Sequence, residues 1–185
     1  MRRFSPLYRS LCIAVCLLAP IVTAFAAKDM TASEIDFKAD FIMNLIDDVT
    51  WPDKAPKEAD GSVVIGVIGD SPLTAAMTRL AQARKSGTKV TVKVFGENDD
   101  LTKCRILFMA TEDKTELASI LKRVRNAPVL TVSDAYYFAR YGVMVNFYTE
   151  EDNGKEKVKF EVNTMTMGFV GIKMKSTLLE LATVI

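Results

Sequence analysis

Short apolar runs alternate with amphipathic segments along most of the chain, and their spacing predicts what each becomes. From Ser33 to about Asp48, the residues Ile35, Ala39, Ile42, Ile46 and Val49 recur at intervals of three and four, the signature of an amphipathic helix. Ser33 and Asp36 stand three apart at its start, the spacing of a capping pair. Phe37, Phe41 and Leu45 form a second stripe beside the first, so this helix is expected to be covered on more than one side, by a partner as well as by the core. Trp51-Pro52 closes it, because the residue before a proline is pushed away from helical angles. Val63 to Ile68 is a continuous apolar run, as expected for a strand buried on both faces. Gly69-Asp70-Ser71-Pro72 then turns the chain into a helix from Pro72 to Ala83, with Asp70 or Ser71 available as its cap and Pro72 in its first turn.

The alternation continues. Thr88 to Phe95, Cys104 to Ala110 and Pro128 to Val132 read as strands, and Asp113 to Arg125 as a helix. Together they predict an α/β fold with a mostly parallel sheet and helices on both faces. After Pro128 to Val132 the pattern changes: Val143 to Tyr148 and Lys157 to Val162 flank the turn-rich stretch Glu150-Glu151-Asp152-Asn153-Gly154 and predict a C-terminal antiparallel hairpin. A short strand near Gly171 to Met174 and a closing helix from Ser176 to Val184, capped by Thr177 with Glu180, complete the reading.

The start of the chain changes the compartment. Arg2, Arg3 and Arg9 lead into an apolar run from Leu11 to Phe25 that ends in Ala24-Phe25-Ala26, the form of a secretory signal peptide. Residues 1–26 are expected to be removed, leaving 27–185 as one exported α/β domain in the periplasm. Val15 is too large for the small residue that precedes a lipidated cysteine, so no lipid anchor is expected at Cys16. Of 24 lysines and arginines, three fall in the leader, which leaves 21 against 23 acidic residues. That balance, with no basic patch, argues against nucleic acid.

Histidine is absent from the sequence, which removes the commonest general base and transition-metal ligand. A His-based triad or zinc site is therefore excluded; Asp134 with Glu161 could still form a carboxylate pair, but neither an enzyme nor a resident metal or cofactor is expected. Met165, Met167 and Met174 read as core packing rather than a Cu(I) site, and the acidic stretch Glu150 to Gly154 as a solvated turn. Cys104 alone survives maturation, so no disulfide forms within the chain. It reads as a buried, small apolar residue, with an exposed or intermolecular thiol as the alternative.

Taken in order, Thr50-Trp51-Pro52, Val63 to Asp70, Pro128 to Asp134, Phe138-Ala139, Met144 to Phe147, Val158 to Asn163 and Gly171 to Ser176 resemble the YfiR family over nearly the whole exported chain. The resemblance implies a Rossmann-like fold and a periplasmic regulator that works by protein contact. Its partner would be the periplasmic part of an inner-membrane diguanylate cyclase, or of a sensor kinase, and an outer-membrane lipoprotein would relieve the restraint. The output would be cyclic di-GMP level and biofilm behaviour. The resemblance also matches Cys104 to a cysteine that in some members bridges to a second one, at the position where Gly66 stands here.

The residues that stand out as candidates for binding a partner or ligand are Phe37, Phe41, Asp70, Asp134, Tyr137, Phe138, Glu161 and Asn163. Asp70 lies where open α/β sheets place ligands, at a strand's carboxyl end, although helix capping explains it too. Glu161 and Asn163 alternate with Phe160 and Val162, so they are expected to line a surface or cleft beside Asp134. Tyr136, Tyr137, Phe138 and Tyr141 crowd aromatics into one short turn, suited to an interface or to a sheet edge. A sensor module that binds a small molecule near Asp70, Asp134 and Glu161 is the alternative function. The aromatic-rich helices are also compatible with a homodimer.

Overall fold

The computed structural model describes residues 30–185, so the leader, its cleavage after Ala26 and the start at Ala27 lie outside the described residues. Helix α1 is Ala32–Asp48, and strand β1, Val49–Thr50, follows it directly. Then come β2 (Val63–Ile68), α2 (Leu73–Ala83), β3 (Val90–Phe95), β4 (Ile106–Met109), α3 (Lys114–Val124) and β5 (Leu130–Ser133). The chain ends with β6 (Val145–Asp152), β7 (Lys155–Val162), α4 (Thr164–Phe169), β8 (Lys173–Met174), α5 (Ser176–Leu179) and β9 (Thr183–Val184).

Seven strands form the main sheet in the order β3-β2-β4-β5-β6-β7-β9. Pairing is parallel from β3 to β6, antiparallel between β6 and β7, and parallel again between β7 and β9. The α/β expectation holds, including the hairpin and the helices on both faces. One face packs Ile65, Val67, Phe108, Val132 and Phe147 against α1 and α2; the other packs Ile68, Leu107 and Met109 against Leu117 and Ile120 of α3. β2 and β4 are buried along their whole length because both faces are covered, which is why their sequences are continuous rather than alternating.

Several local expectations are corrected. Thr31, not Ser33, caps α1: its hydroxyl accepts from the Glu34 backbone N–H, and the Thr31-Glu34 spacing is the one used. The hairpin turn is tighter than the five residues anticipated. Glu150, Glu151 and Asp152 stay in β6, and only Asn153 and Gly154, both at positive φ, turn the chain. The closing helix stops at Leu179, with no side-chain cap from Thr177. Thr183 and Val184 instead leave the helical path to pair with Glu161 and Val162 at the sheet edge. β8 joins β1 in a separate two-stranded sheet, and α4 was not anticipated.

Candidate functional site

The topology itself makes a crevice. From β2 the chain crosses to β3 on one side and then returns to β4 on the other, so the connections at the carboxyl ends of β2 and β4 diverge and leave a gap. A cavity of about 670 Å³ lies there, lined by Asp70, Ser71 and Pro72 after β2, Ala110, Thr111 and Glu112 after β4, and Asp134 and Ala135 after β5. Met30, Glu34 and Lys38, from α1 and the residue before Thr31, and Tyr148 and Thr149 of β6 complete the wall.

Lys38 organises this site. It is only 4% exposed, yet its Nζ lies 2.8 Å from Glu34 Oε1 and 3.0 Å from Asp134 Oδ2. A buried ammonium needs such partners to offset lost hydration. The pair ties α1 to the end of β5 across 96 residues of sequence. Replacing Lys38 with Met leaves two partly shielded carboxylates facing each other. The two acids keep some contact with water, so the expected cost is about 2 kcal/mol, below the full range for a buried pair. Urea unfolding of Lys38→Met measures it, and an unchanged midpoint would contradict this role.

The caps around the crevice are local. Ser71 Oγ accepts from the Leu73 backbone N–H at the start of α2, and Asp113 Oδ1 accepts from Thr115 and Glu116 at the start of α3. Those backbone donors hold the Asp113 carboxyl below its ordinary range.

The eight candidates separate. Asp70 and Asp134 meet in the crevice, whereas Glu161 and Asn163 do not line it. Glu161 lies opposite Asn146, which lies opposite Ser133, so β6 separates it from β5. Asn163 is occupied structurally: its side chain accepts from Thr166 N at the start of α4 and donates to Ala139 O. Phe41 packs with ring centroids 5.3 Å from Phe147 and 4.5 Å from Phe160, as part of the core face. Phe138, expected among the surface aromatics, is a core residue only 2% exposed, packed with the α3 side of the sheet. Phe37 remains 45% exposed and borders a second cavity of about 500 Å³ between α1 and the hairpin.

Tyr136 and Tyr137 follow Asp134 and Ala135 out of the crevice, 72% and 44% exposed. Tyr137 adopts φ 64°, ψ 12°, a left-handed conformation that a bulky residue enters only at a cost. Its ring lies 3.7 Å from that of Tyr136, their hydroxyls are 2.7 Å apart, and the Arg140 guanidinium sits 5.0 Å from its centroid.

Cys104 is fully buried and donates to Leu101 O, which corrects the alternative of an exposed, intermolecular thiol. Burial pushes the thiol up to about 12 from an ordinary 9.0. The unfolded chain therefore gives up this proton first, and stability falls as pH rises between about 9 and 12, by at most about 1.4 kcal/mol per pH unit. Unfolding of the wild type and Cys104→Ala at pH 8 to 10.5 isolates this contribution. The wild type is expected to lose more; parallel curves would contradict the assignment.

A family model described as YfiR/HmsC-like matches residues 35–183, which takes in every described strand except the end of β9. The chain belongs to the YfiR/HmsC-like family. That family is one of periplasmic regulators in the cyclic di-GMP context. No curated protein matches the chain. Among the described residues of this YfiR/HmsC-like chain, no helix is long and apolar enough to cross a membrane. The residues that sequence reasoning missed, Glu34, Lys38 and Glu112, all line the crevice. Lys38 left one signal: it lies three after Ile35 and four before Ile42, a charged residue on the apolar face.

Proposed function

We propose that this protein, exported and cleaved after Ala26, acts by contact: it binds the periplasmic part of an inner-membrane diguanylate cyclase, holds it inactive and so lowers cyclic di-GMP. An outer-membrane lipoprotein competing for the same contact would release the cyclase. Such a regulator needs different affinities for two states of its target rather than a reaction. The observation that carries this reading is Tyr137, an aromatic side chain held in a strained backbone conformation and left 44% exposed, two residues along the chain from Ala135 of the crevice wall. Strain of this kind persists where it serves function, and exposed aromatics are typical anchors of protein interfaces. Tyr136, whose ring lies beside that of Tyr137, is exposed as well.

Tyr137→Gly separates fold from contact. Glycine accepts the left-handed conformation and relieves about 1 kcal/mol, roughly what the lost ring contacts return. Stability is therefore expected to stay within about 1 kcal/mol of wild type. Cyclic di-GMP in cells carrying this variant should rise toward the level of cells lacking the gene. A variant that is stably folded and restrains as well as wild type would remove Tyr137 from the contact.

A further inference from the structure

β6 outruns its neighbour. β5 pairs only with Val145 and Asn146, while β7 accompanies β6 all the way to Asp152. From Phe147 onward the other edge of β6 has no strand beside it, and among the described residues no backbone hydrogen bond outside the hairpin engages this stretch. An unpaired edge is a template for an added strand. This edge borders the crevice, for Tyr148 and Thr149 line it. Thr149 and Glu34 also line the second cavity, so the two spaces adjoin beside the hairpin as a channel of two parts.

The channel has a charge to be matched. Among the described residues, the crevice wall carries four carboxylates, Glu34, Asp70, Glu112 and Asp134, and one cation, Lys38. Lys38 is engaged by Glu34 and Asp134. Among the described residues, Asp70 and Glu112 have no hydrogen-bond or ion-pair partner, and the capping that would explain them is done by Ser71 and Asp113. The adjoining space offers Phe37 and Val158 as apolar lining. A free strand edge, two unused carboxylates and an apolar groove side by side fit an extended chain better than a compact molecule.

We propose that the partner docks an extended segment along the free edge of β6, placing a lysine or arginine side chain in the crevice and an apolar one in the groove by Phe37. This rests on the contact function above and gives that contact its chemistry. The full exported chain, used as bait for random nonapeptides displayed on phage, should enrich sequences with a basic residue at a fixed distance from an apolar one. The selected peptide, made synthetically, should bind at least tenfold more weakly to D70N/E112Q and after methylation of alternate backbone nitrogens. No basic position in the selected peptides, equal binding to the double variant, indifference to N-methylation, or competition by free arginine or spermidine at the peptide's own concentration would each overturn the proposal. In cells, D70N/E112Q should raise cyclic di-GMP. Restraint intact in that variant would sink the channel but not the contact reading, which fails instead when deleting the gene leaves cyclic di-GMP unchanged.

Discussion

Gly66→Cys is expected to bond spontaneously to Cys104 under oxidising conditions and to stabilise the fold by about 2 to 3 kcal/mol. A Cβ built on Gly66 lies 3.1 Å from Cys104 Sγ, close to the roughly 3 Å that separates a Cβ from the far sulfur of a disulfide. Closing a loop of about 39 residues contributes near 4 kcal/mol in the chain-entropy account. Against this, the new Cβ meets Phe95 Cε2 at 2.7 Å and Cδ2 at 2.8 Å. Phe95 is only half-buried, so its ring can swing outward at a cost of about 1 to 2 kcal/mol. Gly66→Ala imposes the same displacement without the bond and should be destabilised by that amount. Denaturant unfolding with and without reductant checks both. A Gly66→Cys protein whose thiols remain free in air, or whose midpoint ignores reductant, would contradict the geometry.

Gly69→Ala is expected to cost about 3 kcal/mol or more. Gly69 sits at φ +85°, and an added Cβ would stand 2.4 Å from the Ala110 carbonyl oxygen. Two penalties coincide: the left-handed backbone for a residue with a Cβ, and a collision with main chain that cannot rotate away. The collision falls at the crevice's back wall, where Ala110 N donates to Ile68 O at 2.8 Å. Relieving it means spreading the ends of β2 and β4, so the proposed restraint of a cyclase should fail along with stability. A Gly69→Ala protein with wild-type unfolding would show that the close approach is not obligatory.

How much of this was legible in the sequence depends on what fixed each feature. Val63 to Ile68 was readable because burial on both faces leaves an unbroken apolar run, and the hairpin because Asn153-Gly154 carries its own turn chemistry. The closing segment was not. Thr177 and Glu180 have capping spacing, but Thr183 and Val184 pair with β7 instead of continuing a helix, and such tertiary choices leave no local trace. Asp70 could be named because it follows a strand end, where α/β folds place sites; Asp134 was named beside Glu161 and Asn163, which do not line the crevice. Lys38 could not, since a helical lysine ordinarily reads as solvated, and its partner Asp134 is brought to it only by the fold. Phe138 shows the reverse: four aromatics in one turn look alike in sequence, and the 3-10 turn at Phe138–Tyr141 buries Phe138 while exposing Tyr141.

Intracellular cyclic di-GMP, quantified in a strain lacking this gene and in the same strain supplied with the wild-type or Tyr137→Gly chain, tests the central claim most directly. The account predicts a raised level without the gene, a return to normal with the wild type, and no return with the folded variant. A level that never changes across the three would show that the protein does not hold a cyclase in check.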